Sequence, residues 1–179
     1  MLWFHDVRQP LNRSRPIADF HRPEALSELL GRDFDAALGR LSALPNRHLR
    51  LRPYQIEANQ AIEAAIAERK RQLLVAMATG TGKTFTMVNE VYRLLKSGVA
   101  SRILFLVDRR VLAAQAIKAF ASFEPEPGLK FDQIYEVFSQ RLQRDDADDP
   151  GFDPRQLPEG YLLAPHSGLA YVYVCTIQR

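Results

Sequence analysis

Met77-Ala78-Thr79-Gly80-Thr81-Gly82-Lys83-Thr84 sits between an apolar, β-prone run (Leu73, Leu74, Val75, Ala76) and a run with helical spacing (Phe85, Val88, Val91, Leu94, Leu95). Strand, glycine loop and helix in that order form the context of a phosphate-binding loop. Glycine lets backbone approach an anion without a Cβ in the way. Successive N–H groups and the helix N-terminus then point at the phosphates, so Thr79, Gly80, Thr81, Gly82, Lys83 and Thr84 are the expected nucleotide-binding residues. Lys83 is expected to place its charge near the β- and γ-phosphates, and Thr84 to offer its hydroxyl to Mg²⁺. The first glycine of the usual pattern is replaced here by Met77.

Outward from the loop, strands and helices alternate. Arg102 to Val107 (RILFLV) and Tyr171 to Ile177 (YVYVCTI) are nearly continuous in apolar residues, as buried parallel strands are. A helix is expected over 109–121, capped by Asp108. Pro53 opens a helix over 53–70 with Ile56, Ala61, Ile62, Ala65 and Ile66 on one face. Another helical pattern runs over 23–44, broken at Gly31 and ended by Pro45-Asn46. Phe131 to Phe138 is ambiguous between strand and loop. Residues 1–22 read as an irregular arm, and 144–160, acidic and rich in Pro and Gly, as a solvated loop. The alternation predicts an α/β fold with a doubly wound parallel sheet and a helical N-terminal extension.

With 46% hydrophobic residues in 179, the chain suits one globular domain, with no need of disulfides or a structural metal. The one cysteine, Cys175, lies in a strand-like run and reads as a free core thiol, which favours a cytosolic location. The four histidines are far apart without metal-ligand spacing and read as surface residues. No apolar run nears the ~20 residues that span a bilayer, so no membrane association is expected. A net charge of +3 is too small to announce nucleic-acid binding by itself.

Two constellations flank the loop. In Leu51-Arg52-Pro53-Tyr54-Gln55, the Gln55 amide carries the acceptor and donors that an adenine edge needs; the alternative is a polar residue of an ordinary helix start. Asp108-Arg109-Arg110 stands at the C-terminal end of its strand, the edge where open α/β sheets bind ligands. The two arginines either meet nucleic-acid phosphates or belong to a solvated helix start.

Taken in order, LRPYQIEA, LLVAMATGTGKT, RILFLVDRRVLAAQA and YVCTIQR resemble the superfamily 2 helicases and translocases, most closely the motor (R) subunit of type I restriction endonucleases. The resemblance covers roughly residues 49–179, leaving 1–48 as an arm and helical extension. It implies a RecA-like motor domain that uses ATP and Mg²⁺ and moves along DNA beside methyltransferase and specificity subunits. It implies that Gln55 reads adenine, that Lys83 and Thr84 serve the nucleotide and Mg²⁺, and that Asp108, Arg109, Arg110 and Thr176 lie along a DNA strand. No Asp-Glu pair follows an apolar strand in this sequence. Such a pair, a second motor domain and a nuclease domain complete the family's motors, so the chain is expected to be a fragment holding most of the first RecA-like domain. The alternatives are another superfamily 2 translocase, from a type III restriction or a repair system, and a nucleotide-binding or docking module without turnover.

Overall fold

The structure, a computed structural model, describes residues 2–4, 14–17, 23, 27, 31–139 and 170–177. The expected loop at 144–160 and most of the helical pattern at 23–30 lie outside these residues. The chain divides into two compact units, Met1–Asp33 and Phe34–Arg179. In the first, β1 (Leu2–Phe4) and β2 (Arg15–Ile17) form a short antiparallel ladder.

The second unit runs α1 (Phe34–Ala43), α2 (Pro53–Ala67), α3 (Lys83–Ser97), β3 (Arg102–Val107), α4 (Arg110–Ser122), the single turn α5 (Phe131–Ile134), β4 (Glu136–Ser139) and β5 (Tyr171–Thr176). β5 is the central strand of a three-stranded sheet, parallel to both β3 and β4. Ile103 pairs with Val172 and Phe105 with Val174. These side chains and Val137 share one face, against Val88, Val91 and Leu95 of α3 and Ala113, Ala116 and Phe120 of α4. Burial of such apolar side chains supplies the main stabilisation, about 25 cal/mol per Å² removed from water.

The fold is therefore α/β with a small parallel sheet, and three expectations are corrected. β3 is not buried on both faces: Leu104 and Leu106 are 62% and 52% exposed, because the helices of the core lie on the opposite face. The run Leu73–Ala76 forms no strand, and Leu74 is 96% exposed. Among the described residues no strand pairs with it, so its backbone has no ladder to join. Asp108 does not cap α4. Arg109 holds the cap position, without a side-chain cap bond.

α1 belongs to the second unit although the sequence boundary falls after it. The Arg93 guanidinium of α3 explains this: it donates to Leu41 O and Leu44 O, at the end of α1 and just beyond it. Arg40 in turn donates to Ser97 O at the C-terminus of α3.

Candidate functional site

The glycine loop meets α3 through two left-handed residues, Gly80 at φ +80° and Gly82 at φ +79°. Gly82 is the N-cap of α3, and its carbonyl accepts from Thr86 N at 3.0 Å and Thr86 Oγ1 at 3.1 Å. Thr81 Oγ1 donates to Ala78 O at 2.7 Å, which closes the turn. This leaves the first N–H groups of a fifteen-residue helix at the loop, where α-helices have unsatisfied donors. Lys83 Nζ folds back onto the loop and donates to Met77 O (3.2 Å) and Ala78 O (3.1 Å). An incoming anion offers that ammonium a charged partner in exchange for two neutral carbonyls. Thr79, Gly80 and Thr84 are exposed.

The Gln55 side chain is engaged by the chain itself. It is 4% exposed. Its Oε1 accepts from Arg52 N at 2.9 Å, which caps α2. Its Nε2 donates to Thr81 O at 2.9 Å. Tyr54, beside it, donates its hydroxyl to the same carbonyl at 3.0 Å. The first turn of α2 thus grips the loop from behind. The Gln55 amide reaches an adenine edge only after giving up these bonds.

On the open side, a cavity of about 560 Å³ is lined by Thr79, Gly80, Lys83 and Thr84 from the loop and α3, by Gln115 from α4, and by Arg50. That is within the range of small-molecule sites, roughly 300–1,000 Å³. The residues fit a polyphosphate: a glycine cradle, helix N–H groups and a lysine converge on one space. For Mg²⁺ the chain offers the exposed Thr84 hydroxyl. No cluster of three or more His, Cys, Asp or Glu side chains occurs among the described residues. Mg²⁺ in nucleotide sites takes much of its coordination from phosphates and water, so this hydroxyl suits one position of that shell.

Arg50 and His48 were not singled out from the sequence. His48 was expected at the surface, yet its ring stacks on Phe123 (centroids 4.9 Å apart) and meets Phe85 edge-on at 5.3 Å. Its Nδ1 accepts from Arg50 N, and its Nε2 lies 3.0 Å from Glu124 O. Only the tertiary packing of 48–50 against α3 and α4 reveals this.

The DNA candidates gather at one edge. Val107 pairs with Thr176, and Ile177 N donates to Val107 O, so Thr176 sits beside the strand end that leads into Asp108, Arg109 and Arg110. Arg109 and Asp108 form a loose ion pair at 3.7 Å with both side chains mostly exposed; Arg110 is exposed too. Cys175 is a free, partly buried thiol whose titration burial pushes up. No described helix is long and apolar enough to cross a membrane.

Residues 48–179 match the family described as type III restriction enzyme, res subunit. Among curated relatives, the chain is 41% identical over 137 residues to the type I restriction enzyme EcoKI endonuclease subunit of Escherichia coli K12; the match takes in 76% of this chain and 12% of that protein. It is 52% identical over 65 residues to the EcoAI endonuclease subunit of Escherichia coli, covering 36% of this chain and 8% of that one. A putative mitochondrial ATP-dependent helicase, irc3 of Schizosaccharomyces pombe, is 36% identical over 85 residues, 47% of this chain and 14% of its own. The chain thus spans about an eighth or less of the restriction subunits it matches. No solved structure matches it.

Proposed function

The chain belongs to the family of the type III restriction enzyme res subunit, and from that premise we propose that it is the ATP-binding part of a DNA translocase from a restriction system of the type I kind. One observation carries the reading. The loop at 79–84 combines two left-handed glycines, the N-terminus of a long helix and a lysine that donates to its own loop's carbonyls. In this reading Lys83 leaves Met77 O and Ala78 O for the β- and γ-phosphates, the N–H groups of 80–84 cradle them, and Thr84 gives Mg²⁺ one oxygen. The bound Mg²⁺ supplies charge neutralisation on the phosphates. Gln55 and Tyr54 hold the loop in shape through Thr81 O. The adenine contact expected of Gln55 belongs to a state in which that grip has opened.

Asp108, Arg109, Arg110 and Thr176 form the proposed DNA-facing edge, and methyltransferase and specificity subunits are the proposed partners. Preference for a type I system rests on the 41% identity across three quarters of the chain. Nucleotide binding is the role proposed for the residues that line the cavity beside the loop. Mg²⁺-ATP is expected to raise the thermal midpoint of the wild-type chain, since a ligand that binds only the folded state stabilises it. The same nucleotide is expected to leave Lys83→Ala unshifted. An equal rise in both would set the assignment aside.

A further inference from the structure

Behind the loop, α2 and α3 run side by side in one direction. At their starts, Gln55 Nε2 donates to Thr81 O and lies 3.5 Å from Gly82 O. Two turns on, Glu63 of α2 accepts from Arg93 Nη2 of α3 at 3.2 Å. Asn59 stands midway between these contacts, on the same face of α2 and one turn from each. It is fully buried, and neither atom of its amide has a hydrogen-bond partner among the described residues. Glu90, one turn before Arg93 on α3, is buried as well, with both carboxylate oxygens unpartnered among the described residues. The polar neighbours are engaged: Thr86 donates to Gly82 O, and Asn89 to Asn46 Oδ1. The charged groups that act on Glu90 are Glu63 across the seam and Arg93 on its own helix. Arg40 of α1 turns to Ser97 O at the far end of α3. From α4, the apolar Ala113, Ala116 and Phe120 join the core that α3 shares.

We infer that Asn59 and Glu90 are positioning residues for the adenine reader: the seam between α2 and α3 opens when Gln55 leaves Thr81 O for the base. This rests on the ATP-binding reading above, in which the adenine contact belongs to the opened grip. Burying polar groups without partners disfavours the closed seam. Water that reaches Asn59 and Glu90 on opening offsets the bonds Gln55 gives up. The closed seam also holds a proton. Burial and the charge of Glu63 outweigh Arg93 and keep Glu90 neutral up to about pH 8. Once hydrated, Glu90 returns towards its ordinary value of 4.5 and gives that proton to solvent. Between these values the free protein is protonated and the open, base-bound protein is not, so adenine nucleotide binds more tightly as pH rises.

Calorimetry in buffers of different ionisation enthalpy counts the protons. Mg²⁺-ATP and Mg²⁺-tripolyphosphate, which fills the cradle without a base, are titrated into wild type, Glu90→Gln, Asn59→Leu and Lys83→Ala, with thermal melts of each. Near neutral pH, wild type is expected to release about one proton more per ATP than Glu90→Gln. Its ATP affinity relative to that variant is expected to climb by up to roughly tenfold per pH unit between about pH 5.5 and about 7.5. Neither difference is expected with tripolyphosphate. Equal proton release by wild type and Glu90→Gln overturns the proposal, and so does the same excess proton with tripolyphosphate. Asn59→Leu places an apolar side chain of similar size in the closed seam. It is expected to raise the thermal midpoint and to weaken ATP by roughly tenfold through a smaller open population, with tripolyphosphate unchanged. An unchanged ratio of the two affinities overturns the proposal even where Glu90→Gln does not fold. Lys83→Ala is expected to lose both ligands. If it binds both as wild type does, the phosphate-loop reading itself fails, whereas the Glu90 and Asn59 results bear on the seam alone.

Discussion

Gly82 answers two demands at once. Its φ is +79°, and a Cβ there would lie 2.6 Å from Gln55 Nε2. Gly80 has nearly the same φ, +80°, but open space where its Cβ would be. The pair separates conformational cost from steric cost. Gly80→Ala is expected to lose about 1–2 kcal/mol from the left-handed backbone alone. Gly82→Ala is expected to lose more, and to free the Gln55 amide from Thr81 O. Thermal melts of both variants check the order; equal losses would mean that the Gln55 contact contributes nothing. The turn at both glycines and the helix that starts at Lys83 were legible in the sequence because they depend on local spacing. For Gln55 the sequence offered an adenine reader or a polar residue of a helix start, and the structure adds a bond to the loop. Its capping bond to Arg52 N is local, whereas its bond to Thr81 O depends on how α2 lies against the loop. Arg50 and His48 left no local signal, since their partners Phe85, Phe123 and Glu124 are distant in sequence.

Between α2 and α3 the chain buries polar residues where the sequence suggested only an apolar face. On α2, Gln55 and Asn59 are buried along with Ile62. On α3, Thr86, Glu90, Arg93 and Ser97 are buried. Gln55, Asn59 and Glu63 repeat every four residues, so they share a face. Arg93 meets Glu63 at 2.5 Å through Nε and at 3.2 Å through Nη2. Glu90, only 1% exposed, has no hydrogen-bond partner for either carboxylate oxygen among the described residues. Its pKa is pushed up to about 8, first by burial and then by the charge of Glu63, with Arg93 opposing. Folding therefore takes up a proton at Glu90. That contribution is fully present below the ordinary value of 4.5 and is lost as pH rises towards about 8. Glu90→Gln keeps the shape without the charge. The wild type is expected to lose on the order of a few kcal/mol more than Glu90→Gln between pH 5.5 and pH 8.5. Denaturant melts at the two pH values measure this, and parallel losses would contradict it. The spacing of these polar residues is visible in the sequence. That they pack inwards is not, because their burial depends on Arg93 offsetting the buried acids.

At the scale of the whole molecule, the α/β class and two of the three parallel strands, 102–107 and 171–176, were legible as apolar runs. A strand at Leu73–Ala76 was not realised, because a β-prone run needs a neighbouring strand that the described residues do not hold. The same sheet brings Thr176 beside the start of the Asp108-Arg109-Arg110 segment at one edge. If that edge follows a DNA backbone, binding is weak and falls steeply with salt. Arg109→Ala and Arg110→Ala are each then expected to reduce the slope of log affinity against log salt by about 0.9 on duplex DNA. Unchanged slopes would place both side chains off the DNA path. The central claim is that nucleotide enters through the loop at 79–84, and calorimetric titration of Mg²⁺-ATP into wild type and Lys83→Ala tests it most directly. Measurable binding by the wild type and none by the variant is the expected result; equal affinity in the two would contradict that claim.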